Sequence, residues 1–176
     1  MAVFIRALTQ EDDRSRFRSG NIDLDRFFQR FAGQNQFRHY VGVTYVAVDG
    51  DSILGFVTVA AASIEVASLS PATRKKLPAY PLPVLRLARL AVDEEATGEG
   101  IGSSLLRQVF LLAHEMASRL GCVGVVVDAK EEAVPFYQRY GFEALDVEAG
   151  QLGDRPEPTP MFLEIGAIPR PGRSKL

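Results

Sequence analysis

The chain has 176 residues, 47% apolar and 24% charged. This is the ordinary composition of a soluble globular protein, and its length fits one domain. At that length a fold buries roughly 70% of the surface its unfolded chain exposes, so no disulfide or metal staple is needed. The formal net charge of −2 excludes a protein that coats nucleic acid by bulk charge alone, while leaving room for a local basic patch. The single cysteine, Cys122, cannot pair internally and sits in an apolar run, so it reads as a small buried hydrophobe. His39 and His114 are isolated, and no Cys/His cluster has metal-ligand spacing, so no metal is expected. The opening MAVFIRALTQEDD has no basic segment followed by an apolar one, and no run approaches about 18 apolar residues. A cytoplasmic protein with no membrane partner is expected.

Residues 3–8 (VFIRAL) read as a short strand. After polar TQEDD, a helix is predicted over LDRFFQRFAGQNQF, with Leu24, Phe27, Phe28 and Phe31 at helical spacing and Asp23 as its N-cap. Two β-rich runs follow, 41–48 and 52–66, joined by the hairpin signal Asp49-Gly50-Asp51. Residues 67–83 are proline-rich and polar and read as a connection; its Arg74-Lys75-Lys76 is the densest basic cluster. That cluster is either a solvated loop face or a contact for an anionic substrate.

A strand is predicted over 84–92, then the glycine-rich turn DEEATGEGIG, then a strongly amphipathic helix over 103–120. The helix stripe is Leu105, Val109, Leu112, Met116 and Leu120, and Gly121 supplies a left-handed stop. CVGVVV (122–127) is apolar throughout, as a strand covered on both faces should be. Strand, helix and strand at this spacing make a βαβ unit with a right-handed crossover. A short helical segment over 131–140 ends at Gly141, and a closing strand is predicted over 160–166 after a proline-broken loop, 154–158. The last residues, 169–176, are expected to form a disordered tail.

The chemistry concentrates in Gly98-Glu99-Gly100-Ile101-Gly102, between a strand and a long helix. Glycines let backbone approach a ligand closely, and the amides of a helix's first turn favour a phosphate. A P-loop would need Gly-x-x-x-x-Gly-Lys-Ser/Thr, and this turn has no lysine. A dinucleotide fingerprint would need Gly-x-Gly-x-x-Gly with an acidic residue about 20 residues on; here the spacing is Gly-x-Gly-x-Gly, and Asp128 lies too far. By itself the turn is equally a plain tight turn or a phosphate cradle.

LARLAVDEEATGEGIGSSLLRQV, followed by AVPFYQRYGF, resembles the GNAT superfamily of acetyltransferases. Glu95-Ala96-Thr97-Gly98-Glu99-Gly100 is similar to that family's acetyl-CoA loop, Arg/Gln-x-x-Gly-x-Gly/Ala, and Phe136 to Phe142 (FYQRYGF) is similar to its Phe-Tyr-x-x-x-Gly-Phe element. One departure is that Glu95 stands where the family has Arg or Gln, so binding would rest on backbone amides. The resemblance implies an α/β (α+β) GNAT fold. Its mixed central sheet would have about six to seven strands, a βαβ acetyl-CoA-binding core and helices on both faces. It implies a single domain over 1–168. Acetyl-CoA would be the co-substrate, held by Leu90, Ala91, Val92, Gly98, Glu99, Gly100, Ile101, Gly102, Ser103 and Tyr137, with no metal. An amine would attack the thioester directly, a backbone amide of the 84–92 strand would stabilise the oxyanion, and Tyr137 would be the acid at the leaving thiolate. Tyr140 is read as structural, Phe136 and Phe142 as core. Glu65 and Asp93 are candidate bases, dispensable for an amine already largely neutral near pH 7.

The N-terminal half is similar to the GNAT-type toxins of bacterial toxin–antitoxin pairs, in Phe17-Arg18-Ser19-Gly20, Leu24 to Phe28, Tyr45 to Val48, Gly55 to Thr58 and Pro83 to Asp93. This implies acetylation of the α-amine of aminoacyl-tRNA, a small helical antitoxin as partner, and Arg74, Lys75, Lys76, Arg86 and Arg89 as contacts to tRNA phosphates. A homodimer is compatible with the resemblance. Two alternatives remain open: an acetyltransferase for a small amine or protein amine, and a CoA-binding interaction module without turnover.

Overall fold

The computed structural model describes residues 2–145 and 158–170. Most of the expected proline-broken loop and of the expected disordered tail lies outside these residues. The strands form a seven-stranded sheet in the order β1-β2-β3-β4-β5-β7-β6. The chain separates into two compact units: the first runs to Ala60 and includes Leu87–Val109, and the second comprises Ala61–Arg86 and the chain from Phe110.

In the first unit, β1 (Phe4–Ala7), β2 (Val43–Asp49) and β3 (Ser52–Ile64) pair antiparallel, with Phe4 opposite Val48 and Tyr45 opposite Val57. Gly50, at φ 59°, makes the predicted hairpin turn. One extra residue in β3 shifts the register at Ala47/Val48. Inward residues Val46, Val48, Phe56 and Ala91 meet Leu8, Phe17, Phe27, Phe28 and Ala32 in one core. Its centre is aromatic: Phe28 stacks on Phe56 at 4.4 Å and 10°, and Phe17 meets Phe56 edge-on at 5.4 Å.

The predicted first helix forms, with two corrections. Its cap is Asn21 rather than Asp23: Asn21 has extended angles and its side chain accepts from the Leu24 amide at 3.0 Å, whereas Asp23 already lies in the first turn. The helix is also interrupted. Helix α1 (Ile22–Arg26) passes through a π-helical turn (Phe27–Phe31) into α2 (Ala32–Phe37). The wider turn breaks the 3.6-residue phase, so Phe27 and Phe28 are both buried while Phe31 is 42% exposed. Gln36 ties α2 to the sheet, donating to the Leu8 carbonyl and accepting from the Thr44 amide.

In the second unit, β5 (Gly124–Ala129) pairs antiparallel with β7 (Thr159–Glu164), and β7 with β6 (Glu143–Ala144). Strand β6 was not anticipated, because two residues carry no periodicity. Strand β5 begins two residues later than predicted: the Val123 amide bonds to Pro83 and its carbonyl accepts from Ile165, outside the ladder. Cys122 is buried, its thiol donating to the Gly124 carbonyl at 3.2 Å. The connection predicted over 67–83 contains a short helix, α3 (Pro71–Arg74), capped by Ser70. Ile64, Leu69, Leu82, Val84, Val126 and Phe162 form this unit's core.

Strand β3 passes into the second unit at Ala61, and two further elements carry residues of both units. Strand β4 is Leu82–Val92, and helix α4 is Ile101–Arg119. Ile101, Leu105, Leu106, Val109, Phe110 and Ala113 are buried along α4. Leu120, expected to complete the stripe, is instead 84% exposed, because the helix has ended: the amides of Leu120 and Gly121 both bond to the Met116 carbonyl, and Gly121 turns left-handed at φ 107°.

Close approach is built in at two strand glycines. A Cβ at Gly55 of β3 would stand 2.9 Å from Ile101 Cγ2, 3.0 Å from the Ala91 carbonyl and 3.1 Å from Leu105 Cδ1. A Cβ at Gly124 of β5 would collide with the Leu163 carbonyl and lie 2.6 Å from the Phe162 ring. The collision at Gly124 is with backbone, which cannot swing aside. Gly124→Ala is therefore expected to lower unfolding free energy by about 1–3 kcal/mol in a denaturant titration. Asn21→Ala, which strips an N-cap, is expected to cost about 1 kcal/mol; an unchanged midpoint in either variant would contradict these packing assignments.

Candidate active site

The glycine turn is held in place from below. Asp93 follows β4 directly, and its amide bonds to the Leu54 carbonyl of β3 at 2.8 Å. Its carboxylate accepts from the Glu95 amide at 3.0 Å and the Arg18 amide at 3.1 Å, and the Glu94 amide returns a bond to the Arg18 carbonyl. Both Asp93 oxygens are thus committed to backbone, which makes this residue a cap and a staple between two loops. The reading of Asp93 as a general base is corrected on that ground. Glu65, the other candidate, is exposed beyond the end of β3.

Past this staple, Gly98 (φ 84°) and Gly100 (φ 78°) take left-handed angles, with nothing within 4 Å of where their side chains would be. These glycines are there for backbone conformation rather than for packing. They lead into α4, where the Ser104 amide and hydroxyl both bond to the Gly100 carbonyl. The first-turn amides of a helix have no intrahelical acceptor, and the positive end of its dipole adds to them. The turn therefore offers backbone donors and open space to an anion, a fit to a pyrophosphate.

Glu95 and Glu99 are exposed and line a hollow of about 620 Å³. Asp13, Asp49, Asp51 and Asp93 are also in its wall, against a single cation, Arg16. Such a wall repels phosphate. An anion at this turn must be held by backbone, as the Glu95 departure implies. Leu90, Ala91 and Val92 form the last residues of β4, half-buried, buried and half-buried in turn.

Tyr137 lies in α5 (Val134–Arg139), in the second unit. It is 5% exposed, its ring edge-on to Phe136 at 5.1 Å and to Phe142 at 5.3 Å. Burial pushes its pKa up to about 12. Its hydroxyl has no hydrogen-bond partner among the described residues, and its oxygen is not sealed from solvent. The phenol is thus a fixed, neutral donor with no acceptor among the described residues. Tyr140 packs edge-on against Phe110 and Phe136, Phe142 is buried, and Phe136 is half-buried.

Of the five basic residues, Arg74, Lys75 and Lys76 are exposed around the end of α3, with Lys76 4.0 Å from Glu164. Arg86 pairs with Asp128 at 3.2 Å. These four belong to the second unit and Arg89 to the first. Arg89 is half-buried with its guanidinium 3.7 Å from the centroid of Phe27, and burial lowers its pKa. Sequence reasoning missed Phe27 in this role, since a phenylalanine in an apolar stripe reads as core. It also missed Gly55, although an isolated glycine inside a strand run signals close backbone approach.

Residues 41–144 match the acetyltransferase (GNAT) domain family. The chain is 33% identical over 141 residues to the tRNA-acetylating toxin of Mycobacterium tuberculosis (strain ATCC 25618 / H37Rv), covering 78% of this chain and 82% of that one. Among solved structures it is similar, at 26% identity and a TM-score of 0.83, to AtaT complexed with acetyl-methionyl-tRNAfMet, covering 95% of this chain and 97% of that one. A tyrosine-to-phenylalanine mutant of KacT matches at the same identity and score, covering 96% and 98%. A third structure, AtaTR bound with AcCoA, matches at 27% identity and a TM-score of 0.76, covering 94% and 95%. The match over residues 41–144 takes in the glycine turn and the Tyr137 segment alike, and the chain belongs to the GNAT family of acetyltransferases.

Proposed function

We propose that the protein is a cytoplasmic toxin-like N-acetyltransferase, one domain over 1–168, that uses acetyl-CoA to acetylate the α-amine of aminoacyl-tRNA. The observation that carries the chemistry is Tyr137: a buried, neutral phenol whose hydroxyl has no partner among the described residues. The similarity to a tRNA-acetylating toxin over 78% of the chain supports the acceptor.

Acetyl-CoA supplies its acetyl group as a thioester, which the amine attacks. Gly98, Glu99, Gly100, Ile101, Gly102 and Ser103 hold the pyrophosphate through backbone, and the backbone of Leu90, Ala91 and Val92 pairs with the pantetheine amides. Tyr137 donates to the sulfur as it becomes a thiolate. Its raised pKa keeps the proton in place at neutral pH, so the donor is always charged with its hydrogen. The same shift makes complete transfer uphill by about 1.4 kcal/mol per pKa unit, so Tyr137 acts first as a hydrogen-bond donor. No side-chain base is required, because an α-amine of pKa near 8 is partly neutral at pH 7. Arg89, held over the Phe27 ring, meets an RNA phosphate, and Arg74, Lys75, Lys76 and Arg86 add charge. A small helical antitoxin is the matching protein partner, and a homodimer is compatible with the family.

The test is transfer of labelled acetyl from acetyl-CoA to a pool of charged tRNA. Label is expected on the aminoacyl group, and Tyr137→Phe is expected to lower kcat about 10²–10⁴-fold with little change in acetyl-CoA KM. Expression should arrest growth and the variant should not. Label on free amines or protein lysines alone would sink the tRNA acceptor. The pH profile gives an independent check: kcat/KM should rise through the amine's pKa near 8. It should show no falling limb below pH 10, since Tyr137 loses its proton only toward about 12. A descending limb near pH 9 that persists in Tyr137→Phe would assign the acid to another group.

A further inference from the structure

On the first unit, the loop after β1 and the outer side of α2 enclose a second hollow, of about 250 Å³, lined by Gln10, Arg14, Gly33, Gln34, Phe37 and Arg38. Its lining carries two guanidinium groups, two carboxamides, one aromatic wall and no acid. That is unusual for a chain of net charge −2. The carboxylate nearest in effect to Arg14 is Asp12. It is already committed, to Arg6 in a two-pronged pair at 2.7 and 2.8 Å and to the Thr9 amide at 2.8 Å. Among the described residues, the side chains of Gln10, Gln34 and Arg38 have no hydrogen-bond partner.

Arg14 is built into this hollow rather than draped over it. It is half-buried, and its Nη1 donates to the Phe28 carbonyl in the π-helical turn at 2.9 Å. Its Nη2 lies 2.9 Å from where a Cβ of residue 33 would be. Glycine inside a helix costs about 1 kcal/mol relative to alanine, and Gly33 has no positive φ to explain it. The missing side chain is what admits the guanidinium. One prong of Arg14 is spent on the backbone, and the rest of its fork is left beside Arg38 and the carboxamide of Gln34.

We infer that this hollow docks a phosphodiester of the acceptor's RNA backbone. A phosphodiester presents two anionic oxygens, which suit a guanidinium fork and carboxamide N–H donors. Phe37, half-buried, walls one side with apolar surface suited to a ribose. The inference rests on the acceptor being a charged tRNA, and its test separates the two.

The test uses the full chain. Binding of fluorescently labelled uncharged tRNA is followed by anisotropy between about 50 and 300 mM salt, beside steady-state acetylation of charged tRNA. The variants are Arg38→Ala and Gln34→Glu; Arg14 is spared because it supports the π-helical turn. Arg119→Ala, exposed at the end of α4, is the charge-matched control. Losing one phosphate contact should weaken tRNA binding about fivefold at 0.15 M salt and reduce the slope of log K against log salt by about one. KM for tRNA should rise in step, with kcat and acetyl-CoA KM unchanged. Unchanged binding and slope would overturn the inference, whether or not tRNA is acetylated. A rise in acetyl-CoA KM alone would assign the hollow to a cofactor phosphate and also overturn it. Loss of binding in Arg38→Ala, in a protein that acetylates no tRNA, would keep the hollow and discard the acceptor proposed above.

Discussion

The absence of a side chain at Gly55 is the constraint on which the first unit's chemistry depends. Ile101 and Leu105, from the first turns of α4, occupy the space a Cβ would fill, with the Ala91 carbonyl of β4 alongside. This contact fixes where the N-terminus of α4 lies against the sheet, and so fixes Gly98, Gly100 and the amides that follow. The Asp93 staple does the same for the other end of the turn. The backbone of the glycine turn is therefore clamped at both ends by contacts made within the protein. Binding through backbone demands this, because mobile amides would have to be ordered at each encounter.

A near-neutral chain can still be sharply polarised, and net charge alone misleads here. Within the first unit, one hollow has a wall of six acids against one arginine, and another has two arginines and no acid. Exposed charges separated by more than a Debye length of about 10 Å at 0.1 M salt scarcely sense each other. Local sign thus decides which anion can approach where. Against this background the carboxylates of Glu95 and Glu99 are less anomalous than their positions suggest, since they extend an acidic wall.

The π-helical turn links packing to chemistry. By adding width at Phe27–Phe31, it places two consecutive phenylalanines in the core. Phe28 anchors the aromatic stack on Phe56, and Phe27 supplies the face on which Arg89 lies. A guanidinium held over a ring is already partly immobilised and loses less freedom on meeting a phosphate. The carbonyl of Phe28 is claimed by Arg14. Two arginines remote in sequence are thus positioned by one irregular turn.

Most of the fold was legible in the chain itself. The hairpin at Gly50, the long strand before the glycine turn and helix α4 all carry strong local signals of turn chemistry or periodicity. The stop at Gly121 does too. So do the two motifs that point to acetyl transfer, because glycine spacing and the Phe-Tyr-Gly-Phe pattern are properties of neighbouring residues. The two-residue strand β6 was not legible, since it depends on what pairs alongside; helix α3, opened by Ser70 and Pro71, and the exposure of Leu120, one residue before the Gly121 stop, were missed although their signals are local. The same division runs through the candidate site. Resemblance to a family motif nominated Tyr137, but its raised pKa comes from burial in the folded chain. Asp93 looked like a base until two backbone amides were found on its carboxylate, and one of them belongs to a residue 75 positions away. Periodicity and turn chemistry act over a few residues and can be read from sequence; burial, pairing and charge environment are set by residues far apart in the chain, and only the tertiary structure decides them.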